Sequence, residues 1–299
     1  MSDVNPLKSK IRVPKIYVSL PSRGRYNKIA PDFSQTGEIP VRAMTARDEL
    51  LLRNPDALLN GDAVEKLIES CVPEIKDMRD SPMNDIDLLL LAIKYATYGD
   101  KFEIPINCPK CKTENKIVRS IRSLIDGATV LPEINSVTLE DGAELILRPY
   151  SFENSNKAGL MDFQSQKRLS YAQATYNRVE GIDPKEVEKA ETIVRQEMTT
   201  LFKEMADFNL NLMIDSIIQV NIMQGDIKTA VTNREHITEY VWELDPNSVE
   251  KIKNKLKEIM KFGVNKNMHI TCINEECKHE WEFEVGFDQS NFFAPTSEV

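Results

Sequence analysis

Four of the five cysteines form two tight pairs, with two residues between the members of one pair and four between those of the other. Both spacings are typical of structural zinc sites, because two thiolates on one chain reversal supply half of a tetrahedral ligand set. Four thiolates close the coordination shell and leave no open position for a catalytic water. The spacing therefore predicts a structural Zn²⁺ site with the ligands Cys108, Cys111, Cys272 and Cys277.

Three other uses of these cysteines stay open, namely disulfides, a degenerate site without metal, and a redox pair. Disulfides are rare in the cytosol, where we expect this chain because its N-terminus has no apolar secretory segment. A redox pair would accompany a thioredoxin-like βαβ pattern, and none is evident. His279 is an alternative ligand because it follows Cys277 closely. Cys71 lies on an apolar helix face and is expected to pack as a small hydrophobic residue.

Each cysteine pair lies at the tip of a predicted β-hairpin. Apolar and polar residues alternate over 102–107, with a return strand at 115–119, and alternate again over 268–272 and 281–285. The same alternation places Trp281 on the inner face of the second hairpin, where it is expected to pack in the core. The 160 residues between the pairs far exceed the roughly 15–20 of a contiguous ribbon. The predicted zinc ribbon is therefore discontinuous, with an insertion between its halves.

Helical patterns account for most of the remaining chain. Thr45 to Asp48 resembles a capping box at the start of a helix, and residues 84–98 form a leucine-rich helix that ends before a glycine. Apolar residues recur at helical spacing over 187–205, and the more apolar segment 207–222 is predicted as a buried helix.

These patterns predict an α+β fold, in which a mainly helical body carries a discontinuous zinc ribbon of two β-hairpins and an extended N-terminal arm. The predicted segments are an extended basic arm (1–43), a helical domain (44–100), the first half of the zinc ribbon (101–120), a short β segment (121–150), a helical insertion (151–265), and the second half of the ribbon with the C-terminal tail (266–299).

The predicted arm carries eight basic and three acidic residues, whereas the whole chain has a net charge of −9. Prolines and aromatic residues in a basic segment are typical of chain that orders on a partner. In this interpretation the basic residues steer association with an acidic protein surface, and the aromatic residues anchor it. The alternative is that the arm folds back on its own acidic body. The residues assigned to these roles are Arg23, Arg25, Lys28, Tyr26 and Phe33.

Several functional classes are disfavoured by the sequence. The closest pair of glycines is thirteen positions apart, whereas dinucleotide-binding and phosphate-binding loops need glycines at most five apart. No nucleophile elbow is present, and three histidines are a sparse supply of general bases. The longest apolar run has six residues, against about 20 for a membrane-spanning helix. We therefore expect no catalytic site, no small-molecule substrate and no membrane segment.

A succession of short motifs resembles a known group of viral proteins. The motifs are LPSRG at 20–24, GEIPV at 37–41, MTARDE at 44–49, Asn54-Pro55, LLNG at 58–61, YATYG at 95–99, the two cysteine pairs, Phe287-Asp288 and Phe292-Phe293. In this order they resemble the baseplate hub and hub-assembly proteins of T-even-type contractile-tailed bacteriophages. The central helical region contributes no motif to this resemblance.

The resemblance implies a non-enzymatic tail protein that is either a component or an assembly factor of the baseplate hub. Its implied partners are other phage baseplate and hub proteins, and its implied locations are the host cytoplasm during assembly and the virion tail baseplate. The oligomeric state stays open. The alternative is a zinc-ribbon module that binds nucleic acid or regulates transcription. The net charge and the acidic row Glu280, Glu282 and Glu284 disfavour it, because phosphate binding needs a basic surface.

Overall fold

The computed structural model describes residues 12–179, 184–224 and 227–285. The chain divides into two compact units, one formed by Met1–Glu133 with Glu258–Val299 and the other by Ile134–Lys257. The first eleven residues of the predicted arm and the C-terminal tail from 286 onward lie outside the described residues. Within the described part of the chain, no helix is both long and apolar enough to cross a membrane.

Helices and short antiparallel strands alternate along the chain. The described helices are α1 (Ala46–Leu51), α2 (Pro55–Leu59), α3 (Asp62–Cys71), α4 (Met83–Tyr98), α5 (Ile121–Asp126), α6 (Phe152–Val179), α7 (Pro184–Asp215), α8 (Arg234–Trp242) and α9 (Pro246–Ile259). The strands are β1 (Pro14–Val18), β2 (Ile39–Arg42), β3 (Lys101–Asn107), β4 (Glu114–Ser120), β5 (Ser136–Thr138), β6 (Glu144–Leu147), β7 (Ile217–Gln224), β8 (Ile227–Val231), β9 (Asn267–Thr271) and β10 (Glu280–Glu284). The mixed α and β content agrees with the predicted fold class.

Helix α4 is the core of the first unit. Its residues from Asn84 to Lys94 are all buried, and seven of these eleven residues are apolar, as expected for a helix enclosed by the core. The helix ends at Gly99, whose φ of 87° is in the region that favours glycine. The capping box at Thr45 and Asp48 is present at the start of α1, and the predicted apolar face of α3 is fully buried.

Polar side chains of α4 hold the C-terminal part of the chain in the first unit. The amide of Asn84 donates to the carbonyl oxygens of Ile259 at 3.1 Å and Phe262 at 2.8 Å. One turn further, Asp87 forms an ion pair with Lys266. The Ile259 carbonyl oxygen also accepts from the backbone N–H of Phe262 at 3.3 Å, so Asn84 adds a second donor there and links α4 to the end of α9.

The described part of the predicted arm differs from the expectation that it lies outside the core. Strands β1 and β2 pair in antiparallel fashion, and Ile16, Val18 and Leu20 are at most 4% exposed. Arg25, predicted to steer a partner, instead donates to the carbonyl oxygen of Leu131 at 2.6 Å. The apolar residues alternate along a strand and bury one face, so residues 12–43 belong to the fold of the first unit despite their prolines and positive charge.

A buried carboxylate fixes the turn that follows β1. The backbone N–H of Ser22 donates to Asp85 Oδ1 at 2.8 Å, and the Ser22 hydroxyl donates to Oδ2. Both residues are fully buried. Burial raises the pKa of Asp85 to about 6, although the hydrogen bonds from Ser22 act in the opposite direction.

The second unit is built on a four-stranded antiparallel sheet with the order β5-β6-β7-β8. The predicted short β segment (121–150) contains β5 and β6, which pair in antiparallel fashion. The predicted buried helix over 207–222 is wrong beyond Asp215, because β7 occupies Ile217–Gln224. Ile217 and Val220 are buried and pair with β6. β-Branched residues at alternating positions favour a strand, and the sheet provides neighbours on both sides of β7.

Helices α6 and α7 form a long hairpin that is inserted between the neighbouring strands β6 and β7. Arg168 of α6 donates to Glu197 at 2.6 Å and to Glu204 at 2.5 Å on α7, which fixes the pairing of the two helices. The predicted apolar stripe of α7 is buried at Ala190 and Leu201, but Met198 on the same stripe is 39% exposed.

We expect Asp85→Asn to change how stability depends on pH. A carboxyl with a raised pKa binds its proton more tightly in the folded state, so stability falls as pH rises from about 4 to about 6. Asparagine keeps the shape of the protonated acid without titrating. Urea denaturation of both proteins should show wild type gaining about 1 kcal/mol over Asp85→Asn between pH 7 and pH 5.

All other titrating groups, the cysteines included, occur in both proteins and cancel in this difference. A difference in the free energy of unfolding that stays constant between pH 7 and pH 5 would contradict the raised pKa of Asp85.

Candidate metal centre

The four predicted cysteine ligands meet in one cluster of the first unit. Their Sγ atoms all lie within 4.8 Å of one another. The Cys111 and Cys272 sulfurs are 3.5 Å apart, and those of Cys108 and Cys277 are 3.9 Å apart. Each of these close contacts joins one cysteine of the first pair to one of the second, so the two half-sites face each other.

The first pair sits in a tight turn between β3 and β4. Cys108 N–H donates to the carbonyl oxygen of Thr113 at 2.9 Å, and Lys112 N–H donates back to the carbonyl oxygen of Cys108 at 2.9 Å. Lys112 has a φ of 61°, in the left-handed region that turns the chain sharply. This turn brings the side chains of Cys108 and Cys111 to the same side.

The second pair sits in a similar turn between β9 and β10. Cys272 N–H donates to the carbonyl oxygen of His279 at 2.9 Å, while Cys277 and Lys278 both donate to that of Asn274 at 3.0 Å. Lys278 has a φ of 40°. A lysine in the left-handed region therefore follows the second cysteine of each pair. The two extra residues of the Cys-x4-Cys spacing leave this backbone conformation unchanged.

The two predicted β-hairpins that carry the turns are present. Strands β3 and β4 pair along their full length, as do β9 and β10. Several of their inward residues are buried, namely Phe102, Ile106, Met268, Ile270 and Val285, whereas Ile104 and Phe283 are half-buried. Trp281, predicted to pack in the core, is only half-buried.

His279, the alternative ligand, lies outside the cluster of metal-binding atoms. Its ring instead stacks on Trp281, with 5.8 Å between the ring centroids and 12° between the ring planes. Among the described residues, the candidate donor set therefore consists of the four cysteines without His279.

The fifth cysteine, Cys71, is fully buried on the apolar face of α3, as predicted. Burial raises the pKa of its thiol to about 12, so Cys71 stays protonated and packs as a small apolar residue.

Hydrogen bonding favours the thiolate at one of the clustered cysteines. Cys111 Sγ lies 3.2 Å from Thr113 Oγ1, and hydrogen bonds from the side chain and backbone of Thr113 lower the pKa of Cys111 to about 6. Burial raises the pKa of Cys272 to about 11. A divalent cation would offset this cost, because a metal-bound thiol is deprotonated.

Asn115 connects the two half-sites, and sequence reasoning assigned it no role. It is 1% exposed, and its amide donates to the carbonyl oxygen of Thr113 at 2.8 Å in the first turn. Its Oδ1 accepts from the backbone N–H of Ile273 at 2.8 Å, directly after Cys272. A polar residue at an inward strand position is the signal that could have identified it.

The donor set and its dimensions fit a zinc ion. Zinc binds thiolates at about 2.3 Å in tetrahedral geometry, which implies sulfur–sulfur separations of about 3.8 Å. Two of the six separations, 3.5 and 3.9 Å, lie close to this value, and all six are within 4.8 Å. The soft thiolates disfavour magnesium and calcium. Cys108 and Cys272 are buried, which is typical of a structural rather than a catalytic site.

The fold and this cluster define a mixed α and β protein with a candidate four-cysteine metal centre, and the predicted helical insertion between its halves also contains the strands β7 and β8 of a four-stranded sheet. Residues 13–294 match the family model described as T4 bacteriophage base plate protein, and the chain belongs to this family. Membership indicates a structural role in the tail baseplate of the phage, in contact with other phage proteins. No curated protein and no solved structure matches the chain.

We expect Asn115→Ala to lower zinc affinity about 10-fold, the weaker end of the effect of outer-shell substitutions. The change removes the acceptor for the Ile273 N–H, which positions Cys272. Competition with a chromophoric chelator measures the affinity. The matched control is Asn107→Ala, an exposed asparagine of the same hairpin, which should bind zinc like wild type. Equal affinities of the two variants would show that Asn115 does not position the half-sites.

Proposed function

We propose that this chain is a non-enzymatic component or assembly factor of the baseplate hub, acting through protein–protein contacts and stabilised by one structural zinc. The family match over residues 13–294 carries the baseplate part of this proposal. The motif order from LPSRG at 20–24 to the second cysteine pair supports the hub in particular. The protein would act in the host cytoplasm during assembly. As a component of the hub, it would also be located in the virion tail.

In this proposal the zinc joins the two half-sites through Cys108, Cys111, Cys272 and Cys277. Two-stranded hairpins are marginally stable alone, and each half-site belongs to one such hairpin. When bound, the ion supplies four bonds between segments 160 residues apart. A closed thiolate set has no position for substrate, which supports a structural rather than a catalytic role.

The charge of the second hairpin supports protein contacts over nucleic-acid binding. Glu280, Glu282 and Glu284 are all exposed on β10, and they form an acidic row because alternate residues of a strand share one face. Such a row repels phosphates.

We expect about one zinc per chain in protein purified without chelator, because the site is closed and has four thiolates. Cys272→Ser should abolish the zinc and lower the melting temperature, since it removes a ligand that joins distant segments. Elemental analysis and thermal denaturation measure the two effects.

Cys71→Ala is the matched control for the zinc measurement. It also removes a buried cysteine but leaves the cluster intact, so its zinc content should equal that of wild type. Zinc near zero in the wild-type protein, or zinc retained after all four clustered cysteines are changed to serine, would contradict the metal site.

The hub role predicts physical association with hub proteins. A tagged full-length chain, expressed in infected host cells, should co-purify with baseplate hub proteins before tails are complete. Mass spectrometry of purified phage particles then separates a virion component, whose peptides are present, from an assembly factor, whose peptides are absent. Association with tail-tube or capsid proteins, without hub proteins, would contradict the hub assignment.

A further inference from the structure

Strand β10 has one open edge. It pairs with β9 in a two-stranded sheet, and among the described residues no strand pairs with its other edge. The backbone N–H of Val285 donates to the carbonyl oxygen of Lys266 at 2.9 Å, on the β9 side. Because the direction of the backbone groups alternates along an antiparallel strand, those of Glu280, Glu282 and Glu284 point to the open edge.

The exposed face of β10 carries the acidic row without basic neighbours in the sheet. The residues opposite the row on β9 are Asn267, His269 and Thr271. Glu280 has an exposed contact with His269 at 3.6 Å, and within the described part of the chain neither Glu282 nor Glu284 has an ion pair. Like charges at alternate positions of one strand repel each other, so a basic neighbour at the open edge would relieve this repulsion.

The opposite face of β10 is apolar and incompletely covered. Trp281 and Phe283 are half-buried, whereas Ile270 and Met268, their partners on β9, are 4% and 6% exposed. The two aromatic side chains have a neighbouring strand on the β9 side only. The open edge therefore fits a strand that has basic residues on one face and apolar residues on the other.

One segment outside the described residues has this pattern. Residues 7–11 read Leu-Lys-Ser-Lys-Ile. In an extended strand Lys8 and Lys10 would share one face, and Leu7 and Ile11 the other. No lysine or arginine occurs in the other segments outside the described residues, which are 180–183, 225–226 and 286–299. Charge complementarity therefore selects residues 7–11.

The residue that follows this segment is fixed in the same compact unit as β10. Arg12 contacts the carboxylate of Asp48 at 3.6 Å and donates to the carbonyl oxygen of Ser70. Both partners belong to the first unit, as does β10. A short tether to a fixed point gives a high effective concentration, which favours pairing within one molecule over pairing with a second copy.

Helix α4 provides a measure of the span. Beside the Arg12 contact, the carboxylate of Glu49 accepts from Tyr98 at the end of α4 at 3.0 Å. The end of β10 lies near Asp87, because Lys266 contacts both Asp87 and the N–H of the residue after β10. The eleven-residue separation along α4 corresponds to about 16 Å. Five residues of extended chain span about 17 Å, so the segment is long enough for this span.

We infer that residues 7–11 of the same molecule pair with the open edge of β10 as a third, antiparallel strand. Lys8 then lies opposite Glu284. Lys10 lies opposite Glu282, and each of these two pairs exchanges backbone hydrogen bonds. The apolar residues of the segment then lie on the face of the two aromatic side chains. Cross-strand pairs of opposite charge stabilise antiparallel sheets, and strand addition to an open edge is a known recognition mode.

Amide hydrogen exchange of the full chain, followed by NMR, tests this inference. In wild type the N–H groups of Glu282 and Glu284 should be protected, although β9 offers them no acceptor. The double variant Lys8→Glu with Lys10→Glu replaces attraction by repulsion at both pairs, so these amides should exchange at least about 10-fold faster. Adding Glu282→Lys and Glu284→Lys to that variant should restore the protection, because the charges are complementary again.

The matched control changes Lys15 and Lys101, two exposed lysines of the first unit, to glutamate and should leave the protection unchanged. Deletion of residues 1–11, which does not alter β10 itself, should remove it. Fast exchange in wild type, equal protection in the Lys8 and Lys10 double variant, equal loss in the control, or no recovery in the charge-swapped protein would overturn the inference.

Dilution distinguishes the two sources of the strand. Pairing within one molecule does not depend on concentration, so an approximately ten-fold dilution should leave the protection unchanged. Protection that falls on dilution would show that a second copy supplies the strand, and would overturn the inference.

Discussion

The contact on which the first unit depends is the buried amide of Asn84 with the C-terminal end of α9. Its two hydrogen bonds to the carbonyl oxygens of Ile259 and Phe262 link α4 to the chain at the end of α9, where the helical hydrogen-bond pattern stops. The ion pair of Asp87 with Lys266 fixes the next turn of the returning chain. Because α4 is buried on all sides, these contacts are shielded from water, and breaking one would leave buried polar groups unpaired.

This return of the chain explains how two distant half-sites form one cluster. Joining segments separated by 160 residues carries a large loop-closure entropy. The packing of α4 and the contacts of Asn84 and Asp87 with residues 259–266 offset much of this entropy cost. Asn115 connects the two turns through its hydrogen bond with the backbone N–H of Ile273, a contact between the half-sites that involves no cysteine side chain.

The sequence predicted the elements that neighbouring residues encode. It did not predict the features that depend on residues far apart in the chain. The capping box at Thr45 and the hairpins that carry the cysteines follow from neighbouring residues. The prediction for segment 207–222 was wrong because the apolar end of α7 is followed directly by β-branched residues. Only the neighbouring strands of the sheet distinguish the end of α7 from β7. The burial of the arm and the bridging role of Asn115 depend on residues far away in the chain, which spacing alone does not reveal.

The two units differ in how far their large apolar residues are buried. In the first unit the large apolar residues of α4 are buried. The polar side chains of this helix form hydrogen bonds and an ion pair within the same unit. In the hairpin of α6 and α7, Phe202 and Met198 stay exposed beside a packed base at Leu201. Helices owe most of their stability to tertiary packing, and exposing a phenylalanine forgoes burial worth roughly 1.5–3 kcal/mol. Such residues therefore do little to stabilise the hairpin, whose two helices are joined instead by the ion pairs of Arg168 with Glu197 and Glu204 and by buried residues such as Leu201.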